Sequence, residues 1–115
     1  MTLNDIVAIL DSKVLCGGEK LDSVSVPYAY ASDLMSDVIA FCYPGALLIT
    51  GLAGFETLET AQLMEIPAVL FVNGKQPPDM TISQAVESDI PLLLTAKSMF
   101  YTVGLLYEAG IKPCL

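Results

Sequence analysis

The sequence has no histidine and no arginine. Without His there is no imidazole general base, no Ser–His or Cys–His nucleophile pair, and no imidazole-based zinc or iron site. Without Arg there is no guanidinium fork to read a base or clamp a phosphate. Lysine is sparse: 5 basic side chains stand against 13 acidic ones, a net charge of −8. That charge repels nucleic-acid phosphates and anionic membrane surfaces, so neither is an expected partner. Nucleotide-binding signatures are missing too. No G-x-x-x-x-G-K-[ST] loop occurs, and Gly51-Leu52-Ala53-Gly54 is not a G-x-G-x-x-G fingerprint.

The three cysteines, Cys16, Cys42 and Cys114, are odd in number, far apart and without C-x-x-C spacing. They are expected to be reduced thiols of a cytoplasmic protein rather than a disulfide framework. None has an adjacent His or a clear activating cation, so none is assigned a nucleophile's role. The opening Met1-Thr2-Leu3-Asn4-Asp5 lacks the basic start of a signal peptide. An uncharged run, Val38 to Phe55, reaches 18 residues, the length of a spanning helix. Pro44-Gly45, Gly51 and Gly54 interrupt it, and no Lys lies near either end, so a soluble protein is expected.

What is present is apolar. Hydrophobic residues make up 54% of 115, with a mean hydropathy of +0.62, enough for one well-buried domain over residues 1–115. Thr2 suits the cap of a first helix carrying Leu3, Ile6, Val7, Ile9 and Leu10, with Asp5 near the positive end of its dipole. A short strand, Lys13 to Cys16, closes at Gly17-Gly18. Alternation of Val24, Val26 and Tyr28 suits a second strand, with Pro27 favouring an edge. Ser32 is the expected N-cap of a helix running to Cys42 and stopped by Pro44-Gly45.

Three matching units follow. Ala46 to Ile49, Ala68 to Val72 and Ile90 to Thr95 are apolar runs without alternation, as in strands covered by helices on both faces. Helical spacing separates them: Phe55, Leu58, Ala61 and Met64 first, then Ile82, Ala85 and Val86 after a capping box at Thr81-Ile82-Ser83-Gln84. A last helix spans Ser98 to Ala109, with Gly110 as its left-handed cap. The fold class is α/β: a three-layer-like domain with a small, mainly parallel βαβαβα sheet, plus an N-terminal helix and short strands.

Open parallel sheets bind ligands beyond the carboxyl ends of their strands. Three loops lie there: Thr50 to Gly54, Asn73-Gly74-Lys75 and Thr95-Ala96-Lys97-Ser98. Candidate ligand-binding residues are therefore Thr50, Gly51, Asn73, Gly74, Lys75, Thr95, Lys97 and Ser98. Hydroxyls, free backbone N–H groups and two ammonium groups favour a small anion or phosphate. The same residue types also build ordinary turns and caps. A second cluster pairs Ser32-Asp33 with Ser36-Asp37, four residues apart on one helix face. A metal or hydroxyl-bearing ligand could use it, but capping and dipole effects account for it, and no metal or cofactor is expected.

The blocks Tyr30 to Val38, Ala68 to Lys75 and Ile90 to Thr95 resemble the DRTGG domain family, which is similar to the N-terminal domain of HPr kinase/phosphorylase. The resemblance covers essentially the whole chain and is strongest to stand-alone members from anaerobic bacteria, often encoded near iron hydrogenase and NADH-dehydrogenase-like subunits. It implies an α/β fold, frequent homodimers and a regulatory or ligand-sensing role without established catalysis. The string Asp-Arg-Thr-Gly-Gly itself is absent, so what depends on it does not carry over.

The expected function is a non-catalytic regulatory module that binds a small anionic metabolite or nucleotide at the carboxyl edge of the sheet. The alternative is an interaction module, a homodimer docking a larger redox, hydrogenase-like enzyme assembly through apolar surface. A small Lys- or Cys-dependent enzyme ranks last.

Overall fold

The computed structural model describes all residues, 1–115. Thr2 caps the first helix reciprocally. Its hydroxyl accepts from the Asp5 N–H at 3.2 Å, and the Asp5 carboxylate accepts from the Thr2 N–H at 3.0 Å, satisfying two N–H groups that a helix start otherwise leaves unpaired. The helix, α1 (Leu3–Leu10), buries Leu3, Ile6 and Leu10 and ends at Asp11 in the left-handed region. Strand β1 (Lys13–Cys16) follows, then a single 3₁₀ turn at Gly18–Lys20.

A repeating strand–helix series makes up the remainder: β2 (Tyr28–Ala31), α2 (Met35–Phe41), β3 (Leu47–Thr50), α3 (Phe55–Leu63), β4 (Val69–Phe71), α4 (Asp79–Ser88), β5 (Leu92–Leu94), α5 (Met99–Glu108) and β6 (Lys112–Pro113). The six strands form one sheet in the order β1-β5-β4-β3-β2-β6. All neighbours are parallel except β1, which runs antiparallel to β5 with a bulge between Val14 and Cys16.

Strand order dictates the layers. From β2 to β5 the chain steps always in one direction, so right-handed crossovers place α2, α3 and α4 on the same face. The step from β5 back to β6 reverses direction and puts α5 on the opposite face, where it packs on α1. Each buried strand feeds both layers, because successive side chains point to opposite faces. Leu48, Val69, Phe71, Leu92 and Leu94 join Val38, Leu58, Ala61 and Ala85 in one core, while Leu47, Ile49, Leu70 and Leu93 join Leu3, Ile6, Leu10 and Leu106 in the other. No helix is long and apolar enough to cross a membrane.

The α/β class, the three layers and the parallel sheet agree with the sequence reading. Four details do not. The segment around Val24 and Val26 is not in the sheet: Val26 is buried among the residues packing α1, and the strand begins at Tyr28. Ser32 does not cap α2, whose N-cap is Leu34 without a side-chain hydrogen bond, so Asp33 lies outside the helix. The Thr81–Gln84 capping box does not exist, since α4 starts earlier behind Pro78 and the Thr81 hydroxyl donates to Ala53 O at 3.0 Å. Finally, β6 adds a parallel partner for β2 that the sequence did not signal.

Candidate functional site

Strands β2 to β5 all end at one rim of the sheet, and the loops that follow are tied to each other there. The Ser32 hydroxyl accepts from the Leu34 N–H at 3.0 Å, a local turn that competes with helix capping. Asp33 is thereby turned toward the neighbouring strand. Its Oδ1 accepts from the Gly51 N–H at 2.6 Å and from the Thr50 hydroxyl at 3.2 Å. Thr50 in turn accepts from the Leu52 N–H at 3.1 Å. Gly51 is buried, and a Cβ there would lie 3.3 Å from Asp33 Oδ1 and 3.6 Å from Asn73 Nδ2. Asp33 and Asn73 thus flank the same stretch of backbone, and Gly51 leaves room for both.

The adjoining loop is a left-handed turn. Asn73 and Gly74 have φ of 64° and 65°, a conformation that Asn tolerates and Gly adopts freely. Their N–H groups donate to Lys97 O and Thr95 O, both at 2.9 Å, lacing the β4–α4 loop to the β5–α5 loop. Thr95 and Lys97 are committed elsewhere. The Thr95 hydroxyl at 3.3 Å and the Lys97 ammonium at 3.0 Å both donate to Leu10 O at the end of α1, where the helix dipole favours a cation. Lys97 also stands 5.8 Å from the centre of the Tyr101 ring. Ser98 is the N-cap of α5, accepting from the Tyr101 N–H at 3.2 Å.

The residues singled out in the sequence therefore fall into four groups. Asp33, Thr50, Gly51 and Asn73 form a polar cluster at the rim. Gly74, Thr95, Lys97 and Ser98 hold the adjacent loop in place. Lys75 follows Gly74 in that loop and is exposed, and its ammonium has neither an ion pair nor a hydrogen bond. Ser36 and Asp37 lie in the first turn of α2, with no hydrogen bond to the cluster.

Two shaping residues escaped the sequence reading. The Thr57 hydroxyl donates to Leu52 O at 2.5 Å, and Thr81 reaches Ala53 O, so two buried helix hydroxyls fix the β3–α3 loop from below. Both stand in the first turn of their helices, where a Thr reads as part of a cap, and a tie to a neighbouring loop has no local signal. No group of three His, Cys, Asp or Glu side chains gathers to hold a metal. A mostly apolar concavity of about 220 Å³ lies away from this cluster, between α5 and the β2–β6 edge. Val103, Leu106, Tyr107 and Ile111 line it, and Lys112 is the one residue with a charged side chain among its lining.

A family model described as the DRTGG domain matches residues 5–109. Among solved structures, the regulatory region of Clostridium perfringens pyrophosphatase has the same fold. That region comprises CBS and DRTGG domains and was solved with its activator, diadenosine tetraphosphate. The TM-score is 0.74 at 16% identity, covering 91% of this chain and 45% of that one. The chain therefore corresponds to less than half of that regulatory region. No curated protein sequence matches. With the family model spanning nearly its whole length, the chain belongs to the DRTGG domain family.

Proposed function

We propose that this domain is a non-catalytic sensor that takes a nucleotide or similar anionic metabolite at the carboxyl rim of its sheet. The observation that carries the reading is the polar cluster in which Asp33 and Asn73 flank Gly51, with the exposed and unengaged Lys75 two residues after Asn73. A carboxylate and an amide suit ribose hydroxyls or the amino groups of a base, and an ammonium suits phosphate. Lys97 does not share that task, because the end of α1 holds it. The nucleotide activator of the Clostridium regulatory region supports the ligand class. The absence of catalysis fits a chain without His, in which burial first, then the neighbouring Cys114, pushes the Cys42 thiol up to about 12. In this reading the domain works in the cytoplasm.

Calorimetric titration with mononucleotides, dinucleoside polyphosphates and inorganic phosphate tests the proposal. Nucleotides bind more tightly than phosphate alone, and Lys75→Ala weakens them about tenfold, near 1.4 kcal/mol. Absence of any heat or thermal shift at millimolar nucleotide overturns the reading.

A second reading, a homodimeric module docking a larger redox assembly, is favoured by exposed apolar side chains. Leu34, Ile39 and Phe41 lie in or beside α2, and Phe100 on α5 is 91% exposed. A monomer by light scattering at all accessible concentrations counts against it.

A further inference from the structure

Two thiols from distant parts of the chain share one buried core. Cys42 is the C-cap residue of α2, and Cys114 directly follows β6. β6 lies beside β2 with Pro113 opposite Ala29, so Cys114 comes level with Tyr30, on the strand along which α2 runs back toward Cys42. Both belong to the same buried cluster, 6% and 4% exposed respectively. Tyr30 packs against that cluster, and burial first, then Asp37 and the two cysteines, pushes its hydroxyl pKa up. The Cys42 thiol donates to Tyr43 O at 3.7 Å, while Cys16 lies on β1, at the opposite edge of the sheet, with its thiol directed to Ile90 O at 3.6 Å.

We propose that Cys42 and Cys114 form a reversible intrachain disulfide, a redox modification site that fastens β6 to the end of α2. The oxidant is a peroxide or a small-molecule disulfide. With peroxide, the Cys114 sulfur attacks one oxygen and becomes a sulfenic acid as the O–O bond breaks and one water leaves. The Cys42 sulfur then displaces the hydroxyl as a second water, so two S–H bonds are lost and one S–S bond forms. With a small disulfide, two exchange steps give the same bridge and two small thiols.

The environments assign the order of attack. Burial, foremost, keeps Cys42 protonated, so it is not the thiol that first attacks the oxidant. Cys114 borders a two-residue edge strand, whose opening admits a small oxidant at little cost. Once bridged, residues 112–114, which form one wall of the apolar pocket, can no longer separate from α2. A thiol reductant reverses the change.

The test treats the folded full chain with hydrogen peroxide, or separately with glutathione disulfide, then alkylates free thiols and maps peptides without reduction. The expected product is a monomer lighter by two hydrogens, with a Cys42–Cys114 cross-link, only Cys16 alkylated, and a raised thermal midpoint that dithiothreitol lowers again. Cys16→Ser gives the same cross-link, and Cys114→Ala does not. The proposal is overturned by three alkylatable thiols after oxidation, by a bridge that includes Cys16 or a second molecule, or by oxygen adducts without a cross-link.

Discussion

Asp33 illustrates how one side chain joins two strands. Its carboxylate satisfies the Gly51 N–H and the buried Thr50 hydroxyl at once, and removing it leaves both donors without that partner. Asp33→Ala is expected to lower stability by about 2 kcal/mol, the scale of an unsatisfied buried polar group, measured by urea denaturation. A cost near zero would mean that water replaces the carboxylate. None of this was legible in the sequence. Ser-Asp before an apolar helical pattern is what a cap looks like, and the acceptor's true partners are 17 and 18 positions away. Lys97 misleads in the same way: beside Thr and Ser it reads as a free cation, but Leu10 O, 87 positions distant, holds it. Thr2 and Asp5 were legible, because both halves of their interaction lie within one turn. The Thr2 hydrogen bonds, backbone first, hold the Asp5 carboxyl below its ordinary 3.8. A carboxyl lowered on folding contributes stability above 3.8 and loses it as pH falls through the folded value. The stability gap between wild type and Asp5→Ala is therefore expected at neutral pH and vanishes in acid, followed by circular dichroism across the range.

At the scale of elements, the buried strands and amphipathic helices were readable because burial on two faces leaves an apolar run and burial on one leaves a stripe. Elements that depend on distant partners were not. β6 is Lys112-Pro113, polar and proline-bearing, and it is a strand only because β2 offers an open parallel edge. Val24 and Val26 alternate as a strand would, yet the Val26 N–H donates to Met1 O at 2.8 Å, so that pattern serves α1. The junction between β1 and β5 makes a sharper demand. Gly17 has φ of 79°, and a Cβ there would stand 2.7 Å from the Pro91 backbone. Gly17→Ala combines a left-handed penalty with a backbone clash, and about 3 kcal/mol or more should be lost in chemical denaturation. A loss under about 1 kcal/mol, the ordinary Ala-for-Gly scale, would show that the Pro91 segment yields freely.

For the whole molecule, the sheet separates two cores, and its centre is better protected than its margins. β3 and β4 have partners on both sides, whereas β1 and β6 each have one. Native-state hydrogen exchange should show amides of Ile49 and Leu70 opening only with global unfolding, and the Lys112 amide, which donates to Pro27 O, opening locally and far sooner. Equal exchange rates at these positions would mean that the sheet opens as one unit. The strand order also bears on synthesis of the chain. β1 has no partner but β5, and the outer edge of β2 stays bare until β6 is made. As the chain is translated from its N-terminus, those early segments wait through most of elongation with hydrogen-bonding edges exposed, the stage at which association with other nascent chains competes with folding.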